Sequence, residues 1–263
     1  MTDSCGLTLV IGLKGGVGKS SVVLSLYNHF IAQGLSFGVI SNDLITDVIE
    51  KIVGSDSFYR IPPESEFPDV ESTDNFIFDF GGFPDSRAHR VLGKAKNILL
   101  PSLGDRVSID GCVETLKQIH HLTKARIAVV GSRVTDGELE TLDEIFEGFP
   151  VFRFKHSMGV PNMFAYEKSF EEQIAERPIL RMSYSGVQKD VKNIASWLID
   201  EKADQVLISE KQQDLIDFLL VVPESRLAHA VSSKLKRLER RQGKSESPDI
   251  HELIDEVQRE AFT

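Results

Sequence analysis

The sequence predicts an α/β fold, with a mainly parallel central sheet flanked by helices and a helical extension at the C-terminal end. Three observations carry this expectation. Short apolar runs of strand length alternate with stretches of helical spacing, the pattern of βαβ units and parallel strands. The first apolar run passes through a glycine-rich turn straight into a helix, as residues 7–33 show. A later run ends on an aspartate followed closely by paired glycines, Asp79-Phe80-Gly81-Gly82.

The elements follow in order. Residues 7–12, Leu-Thr-Leu-Val-Ile-Gly, suit a strand buried on both faces. Residues 19–33 place Val22, Val23, Leu26, Phe30 and Ile31 on one helical face, and Gly34 is the stop. Phe37 to Ser41 is a second strand. Residues 55–75 hold Pro62, Pro63, Pro68 and many acids, so a surface connection is expected there. Phe76 to Phe80, Lys96 to Leu100, Arg126 to Val130 and Pro150 to Phe154 are four further strands, with a helix over 107–122. Residues 167–200 are helical, with Ile194, Trp197 and Leu198 packing on the sheet. A ligand is expected at the carboxyl ends of the strands. This arrangement assigns 1–202 to one compact domain and 203–263 to the helical extension.

Composition bounds the classes. The chain has 263 residues, 41% hydrophobic and 27% charged, which suits a globular domain. No apolar run reaches bilayer length, and the first ten residues lack the basic flank of a signal peptide. Cys5 and Cys112 are the two cysteines, without disulfide or metal spacing, so a reducing cytoplasmic setting is expected. The net charge of −10 argues against nucleic-acid binding for the chain as a whole. Its distribution is uneven. Residues 226–244 hold seven Lys/Arg and one acid, whereas 245–263 hold six acids and one Arg. A basic helix with a Leu227, Val231, Leu235, Leu238 stripe therefore precedes an acidic terminal helix.

The turn carries the chemistry. It reads Lys14-Gly15-Gly16-Val17-Gly18-Lys19-Ser20-Ser21. Its glycines let backbone N–H groups face phosphate oxygens, and the following helix adds the positive end of its dipole. Lys19 can reach β- and γ-phosphates, and the Ser20 hydroxyl can ligate Mg²⁺. The standard loop needs a glycine five positions before Gly18, with four residues between the two. That position holds Leu13, and Lys14 is additional.

This octet resembles the deviant Walker A box of the ParA/MinD group of P-loop ATPases, and the order of strands and motifs extends the resemblance over about residues 5–200. The resemblance implies ATP and Mg²⁺ as cofactors, slow partner-stimulated hydrolysis, and a homodimer assembled by ATP. It implies that Lys14 crosses the dimer interface to the partner's nucleotide, as an arginine finger does. Asp43, in Ser41-Asn42-Asp43-Leu44, matches the second aspartate of the family's next motif; Ser41 replaces the first, and the usual Pro-Gln is absent. Asp79 matches the aspartate that holds Mg²⁺ through water, and Gly82 the glycine whose N–H approaches the γ-phosphate. The family's adenine-contacting asparagine is missing; Ser132 and Arg133 stand near its place.

Three outputs are distinguished. DNA partition is favoured by the basic helix, with Lys234, Lys236, Arg237, Arg240 and Arg241 as DNA-binding candidates, a ParB-type adaptor as partner and a nucleoid location in the ATP state. A MinD-like membrane role is opposed by the acidic terminal helix, and a conjugation-associated role is not separated by sequence. A metabolic kinase or an iron–sulfur electron carrier ranks last, because the cysteines lack the expected context.

Overall fold

The computed structural model describes residues 6–43, 47–62, 65–68, 70, 75–81 and 88–200, apart from the side chain of His89. The expected helices beyond residue 202, with the DNA-binding candidates, lie outside this range, as do Gly82 and Cys5. Seven strands are seen among the described residues: β1 (Leu7–Val10), β2 (Gly38–Ser41), β3 (Phe58–Arg60), β4 (Phe76–Asp79), β5 (Asn97–Ser102), β6 (Arg126–Ser132) and β7 (Val151–Phe154). They form one sheet in the order β3-β2-β4-β1-β5-β6-β7, and every pairing is parallel. Parallel neighbours need long crossovers. Helices lie in these connections: α1 (Lys19–Ala32), α2 (Asp47–Val53), α3 (Ala88–Leu92), α4 (Arg106–Ile119) and α5 (Asp136–Ile145), whereas α6 (Gly159–Tyr166), α7 (Phe170–Glu176) and α8 (Leu180–Ile199) all follow β7.

Alternate strand residues enter opposite layers. Leu7, Leu9 and Ile11 pack with Val91 and Leu92 of α3, Ile109 and Leu116 of α4, and Leu142 of α5. Val10, Val39 and Ile77 face the other way, onto Val22, Leu26 and Phe30 of α1, Ile49 of α2, and Val191, Ile194 and Leu198 of α8. Burial on both faces explains why the strands read as continuous apolar runs.

Ile194 and Leu198 are fully buried, and Trp197 packs partly buried against the same layer with its ring 5.7 Å from that of Phe152. The face assigned to α1 holds except at Ile31, which is 43% exposed. The expected surface connection contains β3, a three-residue edge strand with Phe58 buried and Tyr59 exposed. The helical stretch 167–200 is divided before Pro178. Arg177 sits at φ −138°, ψ 83°, outside the helical region that a following proline disfavours.

Candidate nucleotide-binding site

Strand register brings the motif residues together. Val10, at the end of β1, pairs with Asp79, and Asp79 pairs on its other side with Ser41. The loop after β1, the turn after β2 and the end of β4 therefore leave the sheet side by side, at its carboxyl edge. Here lies a cavity of about 750 Å³, within the range of roughly 300–1,000 Å³ usual for small-molecule sites. Gly15, Gly16, Gly18, Lys19, Ser20, Ser21, Asp43 and Asp79 all line it. Val17 is buried. Lys14 does not line the cavity; its side chain turns to Asp105 and Ser108.

The loop geometry accounts for its glycines. Gly16 and Gly18 have φ of 77° and 95°, where a side chain is strained. A Cβ on Gly18 would also lie 2.6 Å from Ser132 Oγ. Gly18 then hands the chain to α1, whose first-turn N–H groups have no side-chain cap and are free to meet an anion. Leu13 fills the place of the standard glycine. It packs partly buried against the core, and its N–H donates to Thr115 Oγ1 of α4 at 3.1 Å.

Charge is concentrated at the cavity floor. Lys19 donates to the Lys14 carbonyl at 3.1 Å. Burial lowers the Lys19 pKa, against the pull of Asp79 and Asp43. Asp79 is 1% exposed, and neither carboxylate oxygen has a partner of full hydrogen-bond geometry among the described residues, although the Ser20 hydroxyl lies near enough to favour the charged form. Burial raises its pKa to about 6, with Asp43 adding to the rise while Ser20 and Lys19 oppose it. Two buried acceptor oxygens short of full hydrogen bonds beside a lysine fit a hydrated divalent cation. Among the described residues no group of three or more acidic, His or Cys side chains could hold a metal alone. Magnesium does not need one, because it binds through one or two protein groups plus substrate phosphates.

Some contacts were not anticipated from sequence. Asn42 Oδ1 accepts from the Gly81 N–H at 2.6 Å, tying the turn after β2 to the end of β4. Arg133 has φ 57°; its N–H donates to Phe154 O at 2.8 Å and its guanidinium donates to Gly16 O at 2.7 Å. It thereby clasps the loop from the end of β6. The cavity is also lined by Phe154, Lys155, His156, Ser157, Val160, Pro161 and Phe164. Phe154, Val160, Pro161 and Phe164 give it apolar and aromatic surface of a kind that suits a flat base. No motif spacing marks it in the sequence.

Comparison with known proteins places the fold. No family model matches the chain. A cytosolic Fe-S cluster assembly factor, CFD1 of Coccidioides immitis, is 48% identical over 48 residues, covering 18% of this chain and only 14% of that protein's length. Solved structures match far more of the chain. Apo McdA of Cyanothece covers 74% of this chain and 99% of its own, with TM-score 0.55 at 11% identity. The septum site-determining protein MinD of Pyrococcus horikoshii, solved with Mg-ADP, covers 75% of this chain and 97% of its own, with TM-score 0.55 at 12% identity. A ParA family ATPase of Chlorobium tepidum covers 73% of this chain and 99% of its own, with TM-score 0.50 at 14% identity. The chain has the fold of the ParA/MinD-type deviant Walker A ATPases.

Proposed function

We propose that this protein is an ATPase that ATP switches into a homodimer, and that it acts in DNA partition. The observation that carries the ATPase reading is Asp79, buried with neither oxygen fully hydrogen-bonded, beside Lys19 and below the glycine loop. The N–H groups of Gly15 to Ser21 and the start of α1 would hold the phosphates, with Lys19 on the terminal ones. Mg²⁺ would be held by Ser20 and, through water, by Asp79 and Asp43, and when bound it neutralises charge on the transferred phosphoryl group. Asp43, which lines the same cavity, orients the attacking water. The base lies against Phe154, Val160 and Pro161. Gly82 supplies a backbone donor to the γ-phosphate.

Lys14 supports the dimer reading, because its ammonium is outside its own cavity and partly exposed. It completes the site of a second copy as a cation supplied in trans. A dimer doubles the basic segment at Lys234, Lys236, Arg237, Arg240 and Arg241, which binds DNA without sequence preference, and an adaptor of the ParB type stimulates hydrolysis. The acidic segment 249–262 opposes attachment to anionic membranes, and among the described residues no helix is long and apolar enough to cross one. An iron–sulfur role fits poorly, since Cys112 is buried in an apolar layer that pushes its thiol pKa up.

Sedimentation tests the switch. Wild type dimerises with ATP and not with ADP. Lys19→Ala loses nucleotide binding, whereas Lys14→Ala keeps monomeric ATP binding and loses the dimer. Equal dimerisation of wild type and Lys14→Ala would sink the role of Lys14.

A further inference from the structure

We infer that Asp105 and Ser108, at the start of α4, are positioning residues for Lys14: they hold its ammonium within its own chain and so set how readily the ATP-bound protein dimerises. The inference rests on the reading of Lys14 as the lysine that serves a second copy. Lys14 Nζ donates to Ser108 Oγ at 2.8 Å and to the two Asp105 oxygens at 3.1 and 3.4 Å. An ammonium has three donor hydrogens, so this pair occupies it fully. A lysine engaged in this way is not free to reach across an interface.

The contact is part of a larger seam. Asp105, Ser108 and Thr115 follow one face of α4, at helical spacing. Thr115 Oγ1 takes the Leu13 N–H. A Cβ on Gly111, one turn earlier, would touch the Lys14 Cβ at 3.5 Å. This face of α4 therefore lies along the first residues of the phosphate loop. Asp105 also caps α4: its side chain accepts from the Ser108 N–H at 3.1 Å and from the Ser108 hydroxyl at 2.5 Å. The acceptors that grip Lys14 are thus preorganised by the helix start.

The grip is linked to the nucleotide site through one residue. Lys19 donates to the Lys14 carbonyl at 3.1 Å while the Lys14 side chain is on α4. When Lys19 turns to phosphate, that carbonyl loses its donor and the segment carrying Lys14 is loosened. Lys14 and Asp105 side chains are 31% and 47% exposed, and an ion pair so accessible is easily exchanged for another. That is the property a releasable contact needs.

Asp105→Asn separates this role from capping, because Asn caps a helix as well as Asp does but carries no charge. Ser108→Ala is the second variant, and thermal unfolding of the full chain confirms that each is folded. The first measurement is the acetylation rate of Lys14 in nucleotide-free protein, read by mass spectrometry against exposed Lys124. Both variants are expected to raise it about two- to fivefold, the size of one partly exposed ion pair. The second is sedimentation with ATP, where the protein concentration for half-dimerisation is expected to fall by a similar factor. Unchanged acetylation overturns the grip on Lys14. Faster acetylation with unchanged dimerisation, in a wild type that does dimerise, overturns its control of assembly. A wild type that never dimerises with ATP overturns the switched-dimer reading itself and, with it, this control.

Discussion

At the scale of the residue, Asp79 sets function against stability. Its pKa is raised to about 6, chiefly by burial. Below the ordinary carboxylate range, folded and unfolded chains both hold the proton. Between that range and about 6 the unfolded chain releases a proton that the folded chain keeps, so stability falls as pH rises through this window. At pH 7 the loss amounts to about 1–3 kcal/mol, at 1.36 kcal/mol per unit. Asp79→Asn is therefore expected to make nucleotide-free protein more stable at pH 7.5 by about that amount, with much of the gain gone at pH 4. Urea unfolding at the two pH values measures this. The same substitution is expected to abolish the contribution of Mg²⁺ to nucleotide affinity, read by nucleotide titration with and without the ion. In wild type that contribution should fade as pH drops below about 6, when the proton occupies the carboxylate. A variant less stable at pH 7.5 would show that the carboxylate is a structural partner and not a held-open ligand. Lys19 and Asp79 were legible because motif spacing fixes which element each one ends or begins. The contacts of Asn42 and Arg133 were not, because the groups they bind, Gly81 N–H and Gly16 O, lie on other strands' loops and meet them only after the sheet has formed.

At the scale of the element, Arg126 ties the end of α8 to the sheet. Arg126, at the start of β6, donates to Asn97 Oδ1 of β5 at 2.6 and 2.9 Å. It also donates to the Leu198 and Asp200 carbonyls at the end of α8, each at 3.1 Å, and its guanidinium lies 4.6 Å from the Trp197 ring centroid. These carbonyls stand at the C-terminal end of a helix, where the dipole favours a cation. Arg126→Ala is expected to cost about 2–3 kcal/mol, since a charge-assisted contact is worth about 1.5–3 kcal/mol and leaves acceptors behind. Nucleotide affinity should stay within about twofold, because the residue lies at the opposite end of β6 from Ser132. Urea unfolding combined with ATP titration decides this, and a large loss of affinity would mean that α8 shapes the cavity. Long strongly patterned elements such as α1 were legible, and so were the strands buried on both faces. β3 was not, because three residues carry no period. α5 does carry a sequence signal, the Thr135-Asp136-Gly137-Glu138 capping box, but its acidic, weakly apolar sequence hides the helix from a reading based on apolar runs.

At the scale of the whole molecule, net charge and local charge point in opposite directions. The chain carries −10, so a field summed over the protein repels DNA. Only a concentrated patch overcomes this, and the seven cations of residues 226–244 are one. Assembly matters here more than affinity of a single chain. The proposed dimer would bring two such segments to one duplex, and a second contact would then be intramolecular. DNA binding should therefore follow ATP. The full chain with ATP is expected to shift random-sequence DNA at low salt, and chain with ADP is not. Replacing Lys234, Lys236, Arg237, Arg240 and Arg241 together by Gln should abolish the shift and leave ATP-dependent sedimentation as dimer intact. The salt slope of binding should be steep, since each phosphate neutralised contributes about −0.9 to the slope of log K against log salt. Restoring two of the five cations should recover part of that slope, which a patch that merely folds onto the acidic segment would not do. Binding of the ATP form to anionic liposomes, with no DNA shift at low salt, would instead assign the dimer to a membrane surface. Both outcomes would leave the proposed nucleotide switch standing, because that proposal rests on Lys14, Lys19 and Asp79 and not on the basic segment.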